Sequence, residues 1–91
     1  MELERSIEIS NKHGLHARAS TRLAQVAKQF TSSIAVSTPT CTTEVDAKSI
    51  LGILTLGAEK GQTLRIRVTG DDADRAMEAL VQLIEAKFGE D

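Results

Sequence analysis

Ninety-one residues, 41% hydrophobic but only 2% aromatic, describe one small domain, residues 1–91, with an aliphatic core and about 60–65% of the unfolded surface buried. A net charge of −2 gives no electrostatic footprint for nucleic acid, and no apolar run approaches the ~20 residues of a membrane span. The single Cys41 excludes an intramolecular disulfide and fits a reducing compartment, so a cytoplasmic location is expected; a monomer is the separate expectation for its assembly.

Leu3–Ser10 alternates, with Leu3, Ile7 and Ile9 on one face and Ser6, Glu8 and Ser10 on the other, the pattern of a half-buried strand. Gly14 permits a turn. From Ala17 to Phe30 the apolar Ala19, Leu23, Val26, Ala27 and Phe30 recur near helical spacing, leaving Arg22, Gln25 and Lys28 on the solvent side. Ser33–Ser37 reads as a short strand with Ile34 and Val36 inward. Thr38-Pro39-Thr40 breaks it, and Cys41–Asp46 reads as its hairpin partner with Thr43 and Val45 inward. Ala47–Leu56 is expected to form a short helix that Gly57 stops.

A turn at Glu59–Gln62 leads into the cleanest alternation of the chain, Thr63–Thr69, where Leu64, Ile66 and Val68 face one way and Arg65 and Arg67 the other. Ala73–Phe88 then carries an apolar stripe of Ala73, Ala76, Met77, Leu80, Ile84 and Phe88. Acidic residues at its start and Lys87 near its end suit the helix dipole. The order β-α-β-β-α-β-α implies an α+β open-faced sandwich: a four-stranded antiparallel sheet covered on one face by three helices. The bare face explains the exposed arginines of the last strand.

The chemistry concentrates where the first strand hands over to the first helix, at Asn11-Lys12-His13-Gly14-Leu15-His16-Ala17-Arg18-Ala19-Ser20. The first N–H groups of a helix lack internal partners and sit at the positive end of its dipole, a place that stabilises anions. A histidine there tends to stay neutral and nucleophilic, and a phosphoryl group on its ring would lie within reach of the orphan amides. Arg18 adds charge-assisted hydrogen bonds. A lone histidine at a helix start is more often a surface or capping residue, so the pattern alone makes His16 only a candidate phosphoryl acceptor and Arg18 a candidate phosphate-stabilising neighbour. His13 and His16 would need two more ligands to bind zinc, and no phosphate-cradling glycine loop for a nucleotide is present, so neither a metal nor another cofactor is expected.

The segment from Asn11 to Arg18 resembles the active-site stretch of the histidine-containing phosphocarrier family, HPr and its nitrogen-branch paralogue NPr, of the bacterial phosphotransferase system. Asp46-Ala47-Lys48-Ser49-Ile50-Leu51-Gly52-Ile53-Leu54-Thr55-Leu56-Gly57 resembles that family's second helix with its regulatory serine. The resemblance spans essentially the whole chain. It implies a shuttle that takes a phosphoryl group from phosphoenolpyruvate-charged enzyme I onto His16 and passes it to a histidine of an enzyme IIA. It also implies a protein consumed and regenerated in stoichiometric steps, a carrier rather than a stand-alone enzyme. Ser49 matches the serine that HPr kinase/phosphorylase modifies in many bacteria; by itself it also suits a helix N-cap, worth about 1 kcal/mol. Ile50 and Ile53 are expected to face the sheet, with Leu51 and Leu54 exposed beside His16. Ile50, Leu51 and Leu54 together are the candidate docking residues. The departure from the family pattern is Ala19-Ser20, where most relatives carry Pro-Ala. The rival reading is a regulator whose phosphorylation at His16 or Ser49 controls protein partners without sugar transport.

Overall fold

The computed structural model describes residues 1–90. Strand β1 (Glu2–Glu8) leads through a turn to helix α1 (Ala17–Ala27). Strands β2 (Ser33–Ser37) and β3 (Val45–Asp46), helix α2 (Ile50–Thr55), strand β4 (Thr63–Thr69) and helix α3 (Ala73–Glu85) follow, and a 3-10 turn at Lys87–Gly89 ends the order. The sheet runs β1-β4-β2-β3, all neighbours antiparallel. β4, the strand with the strictest alternation, pairs on both edges. Leu3 and Ile34 both stand opposite Val68, and Val36 stands opposite Ile66, so one sheet face is continuously apolar. Against it lie Leu23 and Ala27 of α1, Ile53 of α2, and Leu80 and Ile84 of α3, all fully buried. No helix among the described residues is long and apolar enough to cross a membrane.

Several elements are shorter than their sequence patterns, and β1 ends at Glu8 rather than Ser10. α1 ends at Ala27 rather than Phe30, although Phe30 still packs on the core. The second hairpin strand is only Val45–Asp46, because Thr38 and Cys41 exchange backbone hydrogen bonds in a tight turn and Thr43 is left exposed instead of facing inward. α2 begins at Ile50, not Ala47: Ala47 donates its N–H to the Ile34 carbonyl and remains part of the sheet margin.

The largest departure is at the end of α3. The apolar stripe continues to Phe88, but the α-helix stops at Glu85, and Lys87 and Phe88 adopt left-handed backbone with φ of 57° and 56°. Such a conformation costs about 1–2 kcal/mol per non-glycine residue. Burying a phenylalanine ring returns roughly 1.5–3 kcal/mol, and Phe88 is only 1% exposed. The guanidinium of Arg22, expected in solvent, instead donates to the Phe88 carbonyl. Helix α1 thus holds the reversed turn in place and directs Gly89 and Glu90 back toward its own N-terminus.

A buried carboxylate fastens the opposite end of α3. Asp72 accepts hydrogen bonds from the N–H groups of Thr31 and Ser32, each at 3.0 Å, and from the Ser32 hydroxyl. The Ser32 hydroxyl bond and then the Thr31 amide hold its carboxyl at about 2, down from 3.8, against the opposing effect of burial. Because the folded value is the lower one, this group's contribution to stability is complete above the unfolded value and disappears as pH falls from 3.8 toward about 2. Asp72→Asn is expected to lower the melting temperature by several degrees near neutral pH, and the gap to the parent should close as thermal melts are taken toward pH 2. A gap of constant size across that window would contradict this account.

Candidate functional site

Backbone bonds carry the sheet past β1, with Ile9 donating to the Gln62 carbonyl and Gly61 donating to Ile9. The chain then turns at Asn11–Gly14. Gly14 has φ of +65°, and a Cβ built on it would lie 2.5 Å from the Ala58 carbonyl oxygen and 2.8 Å from Glu59 Cα. Glycine is required here on both counts. The close approach lets Leu15 donate its N–H to Ala58 at 2.9 Å, tying the turn to the loop before β4. Asn11, fully buried, donates one amide group to both the Gly14 carbonyl, 2.8 Å away, and Glu90 Oε1, 2.9 Å away.

His16 occupies the N-cap of α1 in extended backbone conformation, and its Nδ1 accepts the Arg18 N–H at 3.4 Å. An accepting Nδ1 carries its lone pair, so the ring proton lies on Nε2. Nε2 in turn stands 2.7 Å from Glu90 Oε2, an ion-pair distance rather than a linear hydrogen bond; both atoms are shielded from solvent and have no other partner among the described residues. Burial works against ionisation of Glu90. The Asn11 hydrogen bond, the pairing with His16 and the nearby Arg18 charge outweigh it and keep the carboxyl below its usual value. The ring of His13 meets that of His16 edge-on, with centroids 5.4 Å apart.

A shallow cleft of about 560 Å³ opens over the ring, lined by Lys12, His13, His16, Ala17, Arg18 and Glu90. One nucleophilic nitrogen, orphan amides of the first helical turn and cationic side chains converge there, which is the equipment for receiving a phosphoryl group. A larger cleft of about 610 Å³ lies over the bare sheet face, but its Arg67 and Glu44 are paired with each other and it carries no comparable nucleophile. That pairing also corrects the reading of Arg67 as a simply solvated side chain; Arg65 remains exposed.

The proline position of the family pattern is filled differently. Ala19 is fully buried in the first turn of α1, and Ser20, also fully buried, donates its hydroxyl to the Leu15 carbonyl at 3.1 Å. The hydroxyl closes the segment that a proline ring would otherwise stiffen.

Ser49 is the N-cap of α2, its Oγ accepting the Gly52 N–H at 3.1 Å. Leu51 is 75% exposed, and Leu54 is half-buried. Ile53 is in the core, whereas Ile50 is half-buried and packs against it, so its share in an outward-facing patch is partial. α1 and α2 pack on each other, which places this patch on the helix layer that also presents His16. Sequence reasoning included Asn11 in the active-site stretch without giving it a role, and it missed Glu90, which depends on a helix ending that periodicity argued against.

Comparison with known proteins gives a consistent result. A family model described as "PTS HPr component phosphorylation site" matches residues 3–86. The phosphocarrier protein HPr of Xylella fastidiosa (strain Temecula1) is 44% identical over 98% of both chains. The phosphocarrier protein NPr of Shewanella violacea is 42% identical over 98% of this chain and 96% of its own. The crystal structure of HPr-C-His from Thermoanaerobacter tengcongensis superposes with a TM-score of 0.91 at 46% identity, covering 98% of each chain.

Proposed function

Because the chain belongs to the HPr family and is a phosphocarrier of the phosphotransferase system, we propose that His16 is the residue that carries the phosphoryl group, on Nδ1, with Arg18 stabilising it. The observation that supports this most is the asymmetry of the ring: Nδ1 faces the amide end of α1, whereas Nε2 is closed off by Glu90. In this reading the neutral ring attacks the phosphorus of a phosphohistidine on enzyme I. The Nδ1–P bond forms as the donor's N–P bond breaks, and the phosphoryl oxygens are received by the first-turn amides and by Arg18. An enzyme IIA histidine then repeats the displacement in the outward direction. A phosphoramidate suits this traffic because it is labile in both directions, which a serine ester at the same place would not be.

The isomer of phosphohistidine tests the assignment. After incubation with enzyme I and phosphoenolpyruvate, acid-labile, base-stable label is expected on Nδ1 of His16 by NMR. Label on Nε2, or on another side chain, overturns it.

Enzyme I and enzyme IIA domains are the proposed partners, docking over exposed Leu51 with Leu54 and Ile50 at its margin, to a monomer in the cytoplasm, where phosphoenolpyruvate is made. Residues 1–91 act as one unit in this reading. Ser49 is the proposed regulatory site and HPr kinase/phosphorylase its modifying partner. Its phosphate would sit at the N-terminus of α2, where the fold tolerates it, and would act through charge repulsion with the docking proteins. The likeness to an NPr protein favours a second reading, a carrier whose phosphorylation state regulates other proteins rather than sugar uptake. Transfer to sugar-specific against nitrogen-branch IIA domains separates the two.

A further inference from the structure

We propose that Glu90 is a positioning residue that keeps a proton on Nε2 of His16 through the whole transfer cycle, so that Nδ1 alone exchanges the phosphoryl group. The inference rests on the phosphocarrier reading of His16.

Glu90 is held in place by several contacts. One carboxylate oxygen accepts from the buried Asn11 amide at 2.9 Å while the other stands 2.7 Å from Nε2. The same Asn11 amide grips the Gly14 carbonyl, so a single side chain fixes both the turn that delivers His16 and the carboxylate that meets it. The left-handed Lys87–Phe88 pair, the buried Phe88 ring and the Arg22 contact to its carbonyl all serve to bring Glu90 there. The other groups facing the ring are Arg18, the edge-on His13 and, on the cleft wall, Lys12.

The proton count explains what such a carboxylate does. The resting ring is neutral with hydrogen on Nε2. When Nδ1 attacks, the donor's N–P bond breaks and its electron pair stays with the donor ring. His16 becomes a phosphohistidine in which the ring itself is a cation, the negative charge lies on the phosphoryl oxygens, and Nε2–H faces Glu90. On onward transfer the Nδ1–P bond breaks, the electron pair returns to Nδ1 and the ring leaves as neutral imidazole, still protonated on Nε2. No proton enters or leaves. If the Nε2 proton were lost from the phosphorylated ring, the leaving group would be an imidazolate, and departure would slow. A carboxylate beside Nε2 stabilises the protonated ring and so keeps the phosphoryl group transferable at higher pH.

NMR of the His16 ring in the parent and in Glu90→Gln tests this. In the unphosphorylated parent the nitrogen shifts are expected to report the Nε2–H tautomer, and Glu90→Gln to redistribute it toward Nδ1–H. In the phosphorylated form the ring's titration midpoint should fall by about one pH unit in the variant, and transfer to a IIA domain near pH 8 should slow by about tenfold, the two rates converging near pH 6 where both rings are protonated. A merely structural role would slow transfer equally at both pH values and leave the tautomer alone; either result overturns the proposal. Absence of label in the parent would overturn the carrier reading along with it, whereas normal labelling with unchanged tautomer and midpoint would overturn this proposal only.

Discussion

Phosphoryl transfer from charged enzyme I is expected to fall by on the order of 10³-fold or more in His16→Asn, with the fold intact. Asparagine is chosen because His16 has two roles, nucleophile and N-cap of α1. Asparagine is among the best N-cap residues, so its side-chain oxygen can replace Nδ1 as acceptor of a first-turn N–H. Its amide nitrogen, conjugated with the carbonyl, has no basic lone pair with which to attack phosphorus. Cap and chemistry are thereby separated. Melting within a few degrees of the parent and loss of label are the paired results expected. A variant that kept a tenth of parental transfer would show that another group carries the phosphoryl.

Gly14→Ala is expected to be strongly damaging although it adds a single methyl group. The new Cβ would have to share space with the Ala58 carbonyl oxygen and Glu59 Cα, at 2.5 and 2.8 Å, and would do so at φ of +65°. The opposing atoms are backbone, so no side chain can swing aside. The left-handed conformation and the overpacking together cost about 2–4 kcal/mol, which for a domain of this size lowers the melting temperature by roughly 10–25 °C. Relaxing the clash means giving up the Leu15–Ala58 hydrogen bond, which positions the turn before His16. Transfer is therefore expected to decline even at temperatures where the variant is folded. Thermal melts with a labelling assay well below the midpoint check both halves, and a variant as stable as the parent would refute the steric argument.

The parts of this protein legible in sequence are those that local physics decides. The Leu64, Ile66 and Val68 alternation forced a strand, and the apolar stripe around Leu23 forced a helix, because no competing arrangement buries those faces. Gly14 between β1 and α1 marked the turn, and His16 and Arg18 were placed at the helix start on that basis. Cys41–Glu44 looked like strand because threonines favour extended backbone, but a two-residue pairing was all that the Thr38–Cys41 turn left room for. Lys87 and Phe88 were unreadable for a different reason. Nothing in their own chemistry favours left-handed backbone; the core's need for the Phe88 ring and a carbonyl partner for Arg22 impose it from a distance. Glu90 was hidden behind that same event. Of the docking residues, Leu51 was legible as surplus to one buried face, while Ile50 had to be divided between core and surface by the structure.

The bond between Asn11 and Glu90 joins residues 79 positions apart. Closing so long a span carries an entropic penalty that local contacts do not, so this contact belongs to the late part of folding, after sheet and helices have drawn the two segments together. A nascent chain emerging from the ribosome displays His16 long before residue 90 has been synthesised. Over that interval the histidine lacks its carboxylate, and Asn11 lacks its long-range partner. The reactive centre is thus a property of finished tertiary structure, and an incomplete chain would compete poorly for charged enzyme I.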